Sequence, residues 1–253
     1  MSVKRKIQFW YIRLHRYLLG TKYLRIMDGP LKGLKWVTSM NYQYLTGDYI
    51  DEVELSLLKN NLDTTEPVFY DVGANVGYFS MTVKKLVPRT EVYAFEPMPD
   101  HIQTFRKHLR LNNLHGIELV EKAVSGKSGP VTFSGYTDSE GNTYKTESAL
   151  FKNAPSTITI ESTTIDDFVA TSGKVPQLIK IDVEGAELDV LEGALKTLHT
   201  HHPVLLLATH ECHVPGIEEK CVHFLKHNGY SVKPVTTDNK HVPGLQDYIA
   251  RPI

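Results

Sequence analysis

The sequence predicts an α/β fold in which a mostly parallel β-sheet carries helices on both faces. From residue 68 onward, short apolar runs alternate with segments of helical periodicity, and this alternation is typical of parallel strands joined by crossover helices. In addition, the unusual polar clusters of this region each follow directly after an apolar run. Because ligands of open α/β sheets bind beyond the carboxyl ends of the strands, this placement favours the same fold class.

Each predicted strand is a short run of apolar or alternating residues. The predicted strands are residues 68–72, 91–96, 117–120, 158–164, 178–182, 204–208, 230–235 and 247–250. The last two follow each other without a long helix between them, which predicts an antiparallel hairpin at an edge of the sheet.

Helices are predicted between these strands, where apolar residues are spaced three or four positions apart. Phe79 and Val83 mark the first stripe, and Ile102 and Phe105 mark the second. A third stripe predicts one continuous helix and consists of Leu188, Leu191, Leu195 and Leu198.

The same pattern divides the chain into two parts. Residues 1–65 are predicted to form a helical N-terminal extension, and residues 66–253 the α/β domain. Within the second part, residues 134–157 are polar, contain glycine and lack periodicity, which predicts an insertion. This insertion is either a lid or a passive surface loop. The length of 253 residues is compatible with one large domain and small additions.

Composition restricts the classes of function. The net charge of −1 argues against attraction of the whole molecule to nucleic acid. Only two cysteines are present, which excludes a disulfide framework and favours a reducing compartment. The sequence contains neither an apolar stretch of 18 residues nor a continuous signal-type apolar core at its N-terminus. These features predict a cytoplasmic protein.

The first 27 residues have an unusual charge distribution. They contain no acidic residue but seven basic ones, which are Lys4, Arg5, Lys6, Arg13, Arg16, Lys22 and Arg25. One stripe of a helix is apolar and comprises Ile7, Trp10, Tyr11, Leu14 and Leu18. We expect this stripe to pack on the protein's own body or on a second subunit. The alternative is peripheral contact with a membrane, since a basic amphipathic helix with tryptophan suits a membrane interface.

The stretch "FYDVGANVGYFS", residues 69–80, predicts a tight ligand-binding loop between a strand and a helix. Gly73 and Gly77 allow the chain to turn sharply, and the following helix offers free N–H groups at its start. The spacing G-A-N-V-G departs from the dinucleotide fingerprint, and the lysine and serine/threonine of a P-loop are missing. These differences favour a nucleoside-like ligand without a pyrophosphate.

Glu96 refines this prediction, because it lies 23 positions after Gly73 at the end of the second predicted strand. A carboxylate at this place commonly accepts hydrogen bonds from ribose hydroxyls. Asp71 suits a cationic ammonium group, directly or through water, and helix N–H groups suit a carboxylate. An amino acid joined to a nucleoside is S-adenosylmethionine.

Four strings resemble the FkbM-type family of S-adenosylmethionine-dependent methyltransferases. They are "VFYDVGANVGYFS", "VYAFEPMP", "VEKAVSGKSGPVTF" and "LIKIDVEGAELDVLEGA". The resemblance extends from about residue 68 to residue 194. It implies a class I methyltransferase fold, Rossmann-like, with a mostly parallel seven-stranded sheet that ends in an antiparallel hairpin.

The resemblance also implies roles for particular residues. The cofactor would be bound by Asp71, Gly73, Asn75, Gly77, Glu96, Pro97, Ala123, Val124 and Asp182. Of these, Glu96 corresponds to the ribose acid, and Ala123 and Val124 to the segment beside the adenine. Asp182, Glu184 and Glu187 correspond to a motif at the methyl-transfer end.

Many relatives in this family methylate hydroxyls of sugars or natural products, so the resemblance implies O-methylation of a sugar. Residues 1–65 would then lie on the side of the acceptor. A base must take the hydroxyl proton, and His210 is the preferred candidate because histidine titrates near neutral pH. Asp182 could orient His210 or the substrate, and Glu211 and His213 are further candidates. Asp182, His210 and Glu211 could alternatively bind Mg²⁺, although no ligand spacing requires a metal.

Three other functions are weighed against this prediction. A methyltransferase that acts on a non-sugar small molecule or an amine stays open, although "IDVEG" replaces the proline-rich string typical of many enzymes that methylate bases or glutamine. A dehydrogenase is disfavoured by the missing third glycine and the missing Tyr-x-x-x-Lys pair. A non-catalytic module is disfavoured by the intact cofactor residues.

Overall fold

The computed structural model describes residues 3–20, 22–38, 42–137, 143–146, 157–235 and 243–253. Its centre is a seven-stranded sheet. The strands of this sheet are β3 (Val68–Val72), β4 (Glu91–Phe95), β5 (Ile117–Val120), β10 (Leu178–Ile181), β11 (Val204–His210), β12 (Tyr230–Pro234) and β13 (Leu245–Pro252). Their order in the sheet is β12-β13-β11-β10-β3-β4-β5.

Strands β3, β4, β5, β10 and β11 are parallel, and β13 is antiparallel to both of its neighbours. Every residue of β3 and β10 is buried, which explains why these two central strands have continuous apolar runs. The predicted α/β fold with a mostly parallel seven-stranded sheet and a C-terminal antiparallel hairpin is therefore confirmed.

Helices cover both faces of the sheet. The described helices are α1 (Val3–Arg13), which continues into a π-helical turn at Leu14–Leu18, α2 (Tyr42–Thr46), α3 (Glu52–Asn61), α4 (Tyr78–Leu86), α5 (Pro99–Asn112), α6 (Ile165–Ser172), α7 (Glu187–Glu192), α8 (Leu195–His201) and α9 (Ile217–His227). Side chains of α2 to α5 belong to one buried cluster, and side chains of α6 to α9 belong to a second. The sheet separates these two clusters.

The predicted single helix through four leucines is wrong. It consists of α7 and α8, which are separated at Gly193 and Ala194. A Cβ atom on Gly193 would lie 2.3 Å from the carbonyl oxygen of Ser125, so the chain passes another segment closely at this break. The periodicity of the leucines persists across the break because Leu191 and Leu198 both reach the same buried cluster.

The predicted strand 158–164 does not belong to the main sheet. It is β9 (Thr157–Thr163), and it forms a second sheet with the order β6-β9-β7-β8. Its partners are β6 (Ala123–Val124), β7 (Gly129–Thr137) and β8 (Thr143–Thr146). The predicted insertion 134–157 therefore begins within β7, contains β8 and ends at β9. Its residues 138–142 and 147–156 lie outside the described residues.

The N-terminal residues share a hydrophobic core with the sheet. Leu31, Trp36, Leu45 and Leu58 are fully buried in the same cluster as Phe69 of β3. This segment also contains a small antiparallel pair, β1 (Tyr23–Arg25) and β2 (Lys35–Val37). The division of the chain at residue 65 stays a prediction about sequence organisation.

The apolar stripe of α1 does not pack on the body of the protein. Ile12 is buried and the Phe9 ring lies 5.6 Å from the Tyr42 ring, so α1 uses a different side to contact α2. The stripe itself is exposed, with exposed fractions of 65% for Ile7 and 62% for Trp10. The expected packing on the protein's own body is therefore not observed for these side chains, and packing on a second subunit stays a prediction. None of the described helices has the length and apolar character that crossing a membrane requires.

Candidate active site

The sheet order brings the predicted polar residues to one edge. Strands β11, β10, β3 and β4 are consecutive neighbours and run in the same direction. Their carboxyl ends therefore lie side by side. Asp71 and Glu96 belong to the ends of β3 and β4, and Asp182 and His210 to the ends of β10 and β11.

The loop after β3 turns through three residues of positive φ, which are Gly73 (81°), Asn75 (50°) and Gly77 (91°). A Cβ atom on Gly73 would lie 1.9 Å from the Asp182 carbonyl oxygen, and one on Gly77 would lie 2.1 Å from the Phe105 ring. The sharp turn agrees with the sequence analysis. However, the close neighbours that require glycine are the protein's own backbone and a core ring.

Glu96 connects this loop to the loop after β4. Its carboxylate accepts hydrogen bonds from the backbone N–H of Asn75 at 2.8 Å and of Met98 at 2.9 Å. The ring of His101 lies 3.2 Å from the same carboxylate. The side chain is almost completely buried, so these contacts fix its position beside the glycine loop.

The remaining residues predicted to bind the cofactor lie around this loop. Pro97 is half-buried and joins Glu96 to the start of α5. Ala123 and Val124 form β6, follow shortly after β5 and are buried. Glu96 donates its backbone N–H to the carbonyl oxygen of Val120 at the end of β5, so these segments lie together.

Asp71 is completely buried beneath the loop. It accepts a hydrogen bond of 2.6 Å from the Ser80 hydroxyl, and its other oxygen lies 3.8 Å from the Lys180 ammonium group. Burial raises the pKa of Asp71, and Lys180 and Ser80 offset this only partly. Direct contact between Asp71 and a ligand ammonium group stays a prediction.

Lys180 is a buried cation that the sequence analysis missed. Its ammonium group lies 3.0 Å from an Asp182 carboxylate oxygen and 4.5 Å from the centre of the Phe79 ring. Burial lowers the pKa of Lys180, but Asp182 and Asp71 raise it by more, so the group stays charged. A lysine inside the buried run "LIKID" was the available signal, because such a charge requires partners in the core.

His210 lies among three carboxylates. Its Nδ1 is 2.7 Å from Glu187 Oε1, and its Nε2 is 3.3 Å from Glu184 Oε2 and 3.5 Å from Asp182 Oδ1. Burial lowers the pKa of His210, but the Glu187 hydrogen bond and the neighbouring Glu184 and Asp182 raise it by more. Glu187 therefore occupies the orienting position at Nδ1, and Asp182 faces the other nitrogen.

Glu184 occupies the place that the sequence analysis gave to Glu211. Ligand atoms of Asp182, Glu184 and His210 lie within 4.8 Å of one another, and Glu184 also lies 2.9 Å from His213. Glu211 instead accepts hydrogen bonds from the N–H groups of Gly216 and Glu218 at the start of α9. This position gives Glu211 a helix-capping role and removes it from the potential metal-ligand set.

A cleft of about 260 Å³ opens at the ends of β10 and β11. Its polar lining residues include Gln43, Asp48, Tyr49, Glu54, Lys180, Asp182, Glu184, His210 and Asp247. The first four come from the N-terminal 65 residues, so this segment forms one wall of the cleft. The sequence analysis associated the segment with an acceptor but could not identify the contacting side chains.

Tyr49 of this wall packs against Tyr44, with ring centres 4.3 Å apart. Burial raises the pKa of Tyr49, and the nearby Tyr44 and Asp182 raise it further. Tyr49 also contacts Phe79 of α4 edge-on at 6.1 Å. The N-terminal wall is thus fixed to the helix that follows the glycine loop.

Three features define a class I, Rossmann-like methyltransferase fold. They are the order of the strands in the sheet, the glycine loop after β3 and the acidic residue Glu96 after β4. A solved FkbM methyltransferase from Methylobacillus flagellatus KT has this fold, with a TM-score of 0.52 and 19% identity over 73% of this chain and 43% of that one. The model of the methyltransferase FkbM domain matches residues 71–232. The chain belongs to this family of methyltransferases.

Several curated relatives have similar sequences. Methyltransferase 1 of Beauveria bassiana is 29% identical over 49% of this chain and 56% of its own length. The 2-O-methyltransferase NoeI of Sinorhizobium fredii is 28% identical over 54% of this chain and 61% of its own length. The hexuronic acid methyltransferase AglP of Haloferax volcanii is 28% identical over 62% of this chain and 60% of its own length. The chain thus spans less than two thirds of the length of each of these relatives.

Proposed function

We propose that the protein is an S-adenosylmethionine-dependent O-methyltransferase whose acceptor is a sugar hydroxyl. The observation that carries this proposal is the contact between Gly73 and Asp182, where the glycine loop lies against the end of β10. On one side of this contact lies Glu96, and on the other lies the cleft with His210. In this proposal the donor site and the acceptor site are therefore adjacent.

The chemistry of the residues around the glycine loop fits S-adenosylmethionine. The buried Glu96 carboxylate offers acceptors to ribose hydroxyls. The buried side chains of Ala123 and Val124 offer apolar contact to an adenine ring. The first turn of α4, which starts after Gly77, offers backbone N–H groups to the carboxylate of the cofactor.

When bound, the sulfonium of this cofactor supplies an activated methyl group. The protein's own residues must then position the acceptor and take its hydroxyl proton. We assign the proton to Nε2 of His210, because Glu187 engages Nδ1 and fixes the ring. The raised pKa of His210 means that this nitrogen becomes a base only when the pH exceeds that value.

The charge of the cleft favours a neutral acceptor. Its described lining contains five carboxylates, those of Asp48, Glu54, Asp182, Glu184 and Asp247, and one lysine. Carboxylates accept hydrogen bonds from sugar hydroxyls but repel an acidic sugar. NoeI and AglP carry names that refer to 2-O-methylation and to a hexuronic acid, respectively. We therefore propose a neutral sugar and not a uronic acid as the acceptor.

The same carboxylates support a second candidate, a methyltransferase that acts on an amine. An ammonium group would be attracted to the acidic cleft, and His210 would take the proton from it before transfer. Hydroxyl acceptors remain the first proposal because the described cleft also contains Gln43 and Tyr49, which can both donate and accept hydrogen bonds.

Two measurements test the proposal. Calorimetric titration with S-adenosylhomocysteine should give micromolar binding, and NAD should give none. Methyl transfer from labelled S-adenosylmethionine should then be screened with neutral sugars, uronic acids and amino sugars. Label on a neutral sugar that resists mild acid and base supports an O-methyl ether, whereas label only on amino sugars would select the amine candidate. Absence of S-adenosylhomocysteine binding would refute both candidates.

A further inference from the structure

The outer face of α1 and its π-helical turn is an exposed apolar surface that the proposed activity does not use. We define the outer face by the exposed side chains Ile7, Trp10, Tyr11, Leu14, Tyr17 and Leu18. Among the described residues, twelve large hydrophobic side chains are exposed, and eight of them lie between Ile7 and Tyr23. Such concentration is unusual for a surface in contact only with water.

The outer face is displayed by a helix that is firmly attached to the protein. Ile12 is buried, the Phe9 ring contacts the Tyr42 ring, and Arg5 forms an ion pair of 2.9 Å with Asp48. The apolar side chains opposite these contacts are exposed, and Ile7 and Tyr11 among them also line a cleft beside Tyr23 and Arg25 of β1. Leu18 follows Leu14 by about one turn of the wider π-helix, so both remain on one side.

The charged residues of the segment that carries the outer face are all basic. The first 27 residues carry seven basic side chains and no acidic one. Because the whole chain has a net charge of −1, the remaining residues carry −8. Lys6, Arg13, Arg16, Lys22 and Arg25 are exposed. A basic apolar surface on an otherwise acidic protein matches a partner that is apolar and negatively charged.

Two cations lie directly beside the exposed aromatic rings. The guanidinium of Arg13 lies 5.4 Å from the centre of the Trp10 ring, and that of Arg16 lies 5.1 Å from the Tyr17 ring. Tryptophan and tyrosine combine an apolar body with a polar tip, and they concentrate at the boundary between lipid headgroups and acyl chains. Arginine at the same depth binds lipid phosphates.

We infer that the outer face binds the surface of an anionic lipid bilayer, with α1 lying in the plane of the interface. The apolar side chains enter the boundary with the acyl chains, and Arg13 and Arg16 contact the phosphates. Asp48, which pairs with Arg5 of α1, also lines the cleft, so the bilayer surface lies near the acceptor site. Vesicle binding requires no acceptor and no turnover, so its test is independent of the proposed function.

The experiment uses the full chain and vesicles of phosphatidylcholine, either alone or mixed with an equal amount of phosphatidylglycerol. Trp10 is 62% exposed and Trp36 is completely buried. We expect the mixed vesicles to shift tryptophan emission to the blue, and brominated lipid to quench Trp10 but not Trp36. Pure phosphatidylcholine and high salt should reduce the effect, because they remove the electrostatic contribution.

Variants with matched controls identify the surface by flotation. Arg13→Gln with Arg16→Gln should weaken binding by about 25-fold, since each basic residue near an anionic surface contributes about five-fold. Leu14→Ser with Leu18→Ser should abolish binding to the mixed vesicles. Leu195→Ser and Lys226→Gln replace an exposed leucine and an exposed lysine elsewhere, and they should bind like the wild type.

Three outcomes would overturn the inference. The first is the absence of both emission shift and flotation with mixed vesicles. The second is equal flotation of the Leu14→Ser, Leu18→Ser variant and the wild type. The third is a stable dimer in light scattering that this variant dissociates, without any vesicle binding, because a second copy of the chain would then cover the outer face.

Discussion

Glu187 holds the imidazole of His210 through a buried hydrogen bond of 2.7 Å between Oε1 and Nδ1. The same oxygen accepts the N–H of Gly185 at 2.8 Å, which fixes the carboxylate. The other ring nitrogen of His210 is left to face Asp182 and Glu184 in the cleft. The pair thus determines which nitrogen can exchange a proton with an acceptor.

The first prediction concerns pH. Glu187→Gln removes a charge that raises the pKa of His210, so the pKa should fall. A histidine base is neutral above its pKa, and the rising limb of the pH–rate profile should therefore move to lower pH in the variant. In the wild type the midpoint of this limb should lie above pH 6.5, because the pKa of His210 is raised from 6.5, the ordinary pKa of histidine. An unchanged profile would contradict His210 as the base.

The titration of His210 should also affect the stability of the wild type. The rate should rise with pH as His210 loses its proton, whereas the free energy of unfolding should fall. Because the folded-state pKa of His210 is raised, its contribution to the free energy of unfolding is fully present below pH 6.5. This contribution is lost as the pH rises through the folded-state pKa. Thermal unfolding of wild type and Glu187→Gln across this range should show a difference that diminishes at high pH.

The second prediction concerns catalysis. His210→Gln should reduce turnover by about 10²- to 10⁴-fold, the usual contribution of a general base, and leave S-adenosylhomocysteine affinity unchanged. His213→Gln is the matched control, because His213 contacts the same Glu184 but its side chain is 42% exposed, whereas that of His210 is 7% exposed. Full activity of the His210 variant, or equal losses in both variants, would remove the assignment.

The third prediction concerns the donor site. Glu96→Ala should weaken S-adenosylhomocysteine binding by about 1–3 kcal/mol, through loss of charged hydrogen bonds and of the anchor for Asn75 N–H. Glu91→Ala provides the control, because Glu91 lies at the other end of β4 and pairs with Lys174. Calorimetry that finds equal affinities in both variants would exclude Glu96 from the ribose site.

The fourth prediction concerns the buried lysine. Lys180→Met leaves Asp71 and Asp182 without their cation and should lower the free energy of unfolding by about 3–5 kcal/mol at neutral pH. Removal of Lys180 raises the pKa of Asp71 further. At acidic pH this carboxyl is protonated, so the substitution should lower the free energy of unfolding by less. Denaturant titrations should show a smaller deficit at pH 5 than at pH 8, and a constant deficit would contradict the pairing.

The fifth prediction separates backbone strain from close packing. Gly216 and Gly77 both have positive φ and both precede a helix, but no atom lies within 4 Å of a Cβ built on Gly216. Gly216→Ala should therefore cost only about 1–2 kcal/mol of conformational energy. Gly77→Ala must also displace the Phe105 ring, so its loss of stability should be clearly larger. Equal melting temperatures of the two variants would contradict this prediction and would show that the Phe105 ring moves aside without a cost in stability.

Much of the fold could be predicted from the sequence because parallel strands buried on both faces are continuous apolar runs. The strands through Val72 and Ile181 follow that rule, whereas the antiparallel hairpin at the end of the chain was predictable because no long helix separates its two strands. The strand at Thr157–Thr163 was predicted from alternating apolar and polar residues, but it joins another sheet. Alternation indicates a strand with two different faces and contains no information about its partner.

The candidate site was predictable in part, because its residues follow strands that proved to be neighbours. Asp182 and His210 do meet, as the order of their strands requires. Glu184, which has a φ of 56°, lies 3.3 Å from His210, whereas Glu211, the residue considered as a metal ligand, caps α9 instead. Lys180 was missed because a buried charge depends on partners that lie far away in the sequence.

The backbone of Gly73 lies against the carbonyl oxygen of Asp182, and this close approach is possible because glycine has no side chain. The separation between the turn after β3 and the end of β10 is therefore independent of the side chains that line the cleft. Gln43, Asp48 and Asp247 could all be exchanged without altering that separation. Evolution can thus change which molecule enters the cleft while it preserves the spacing between the two halves of the reaction centre.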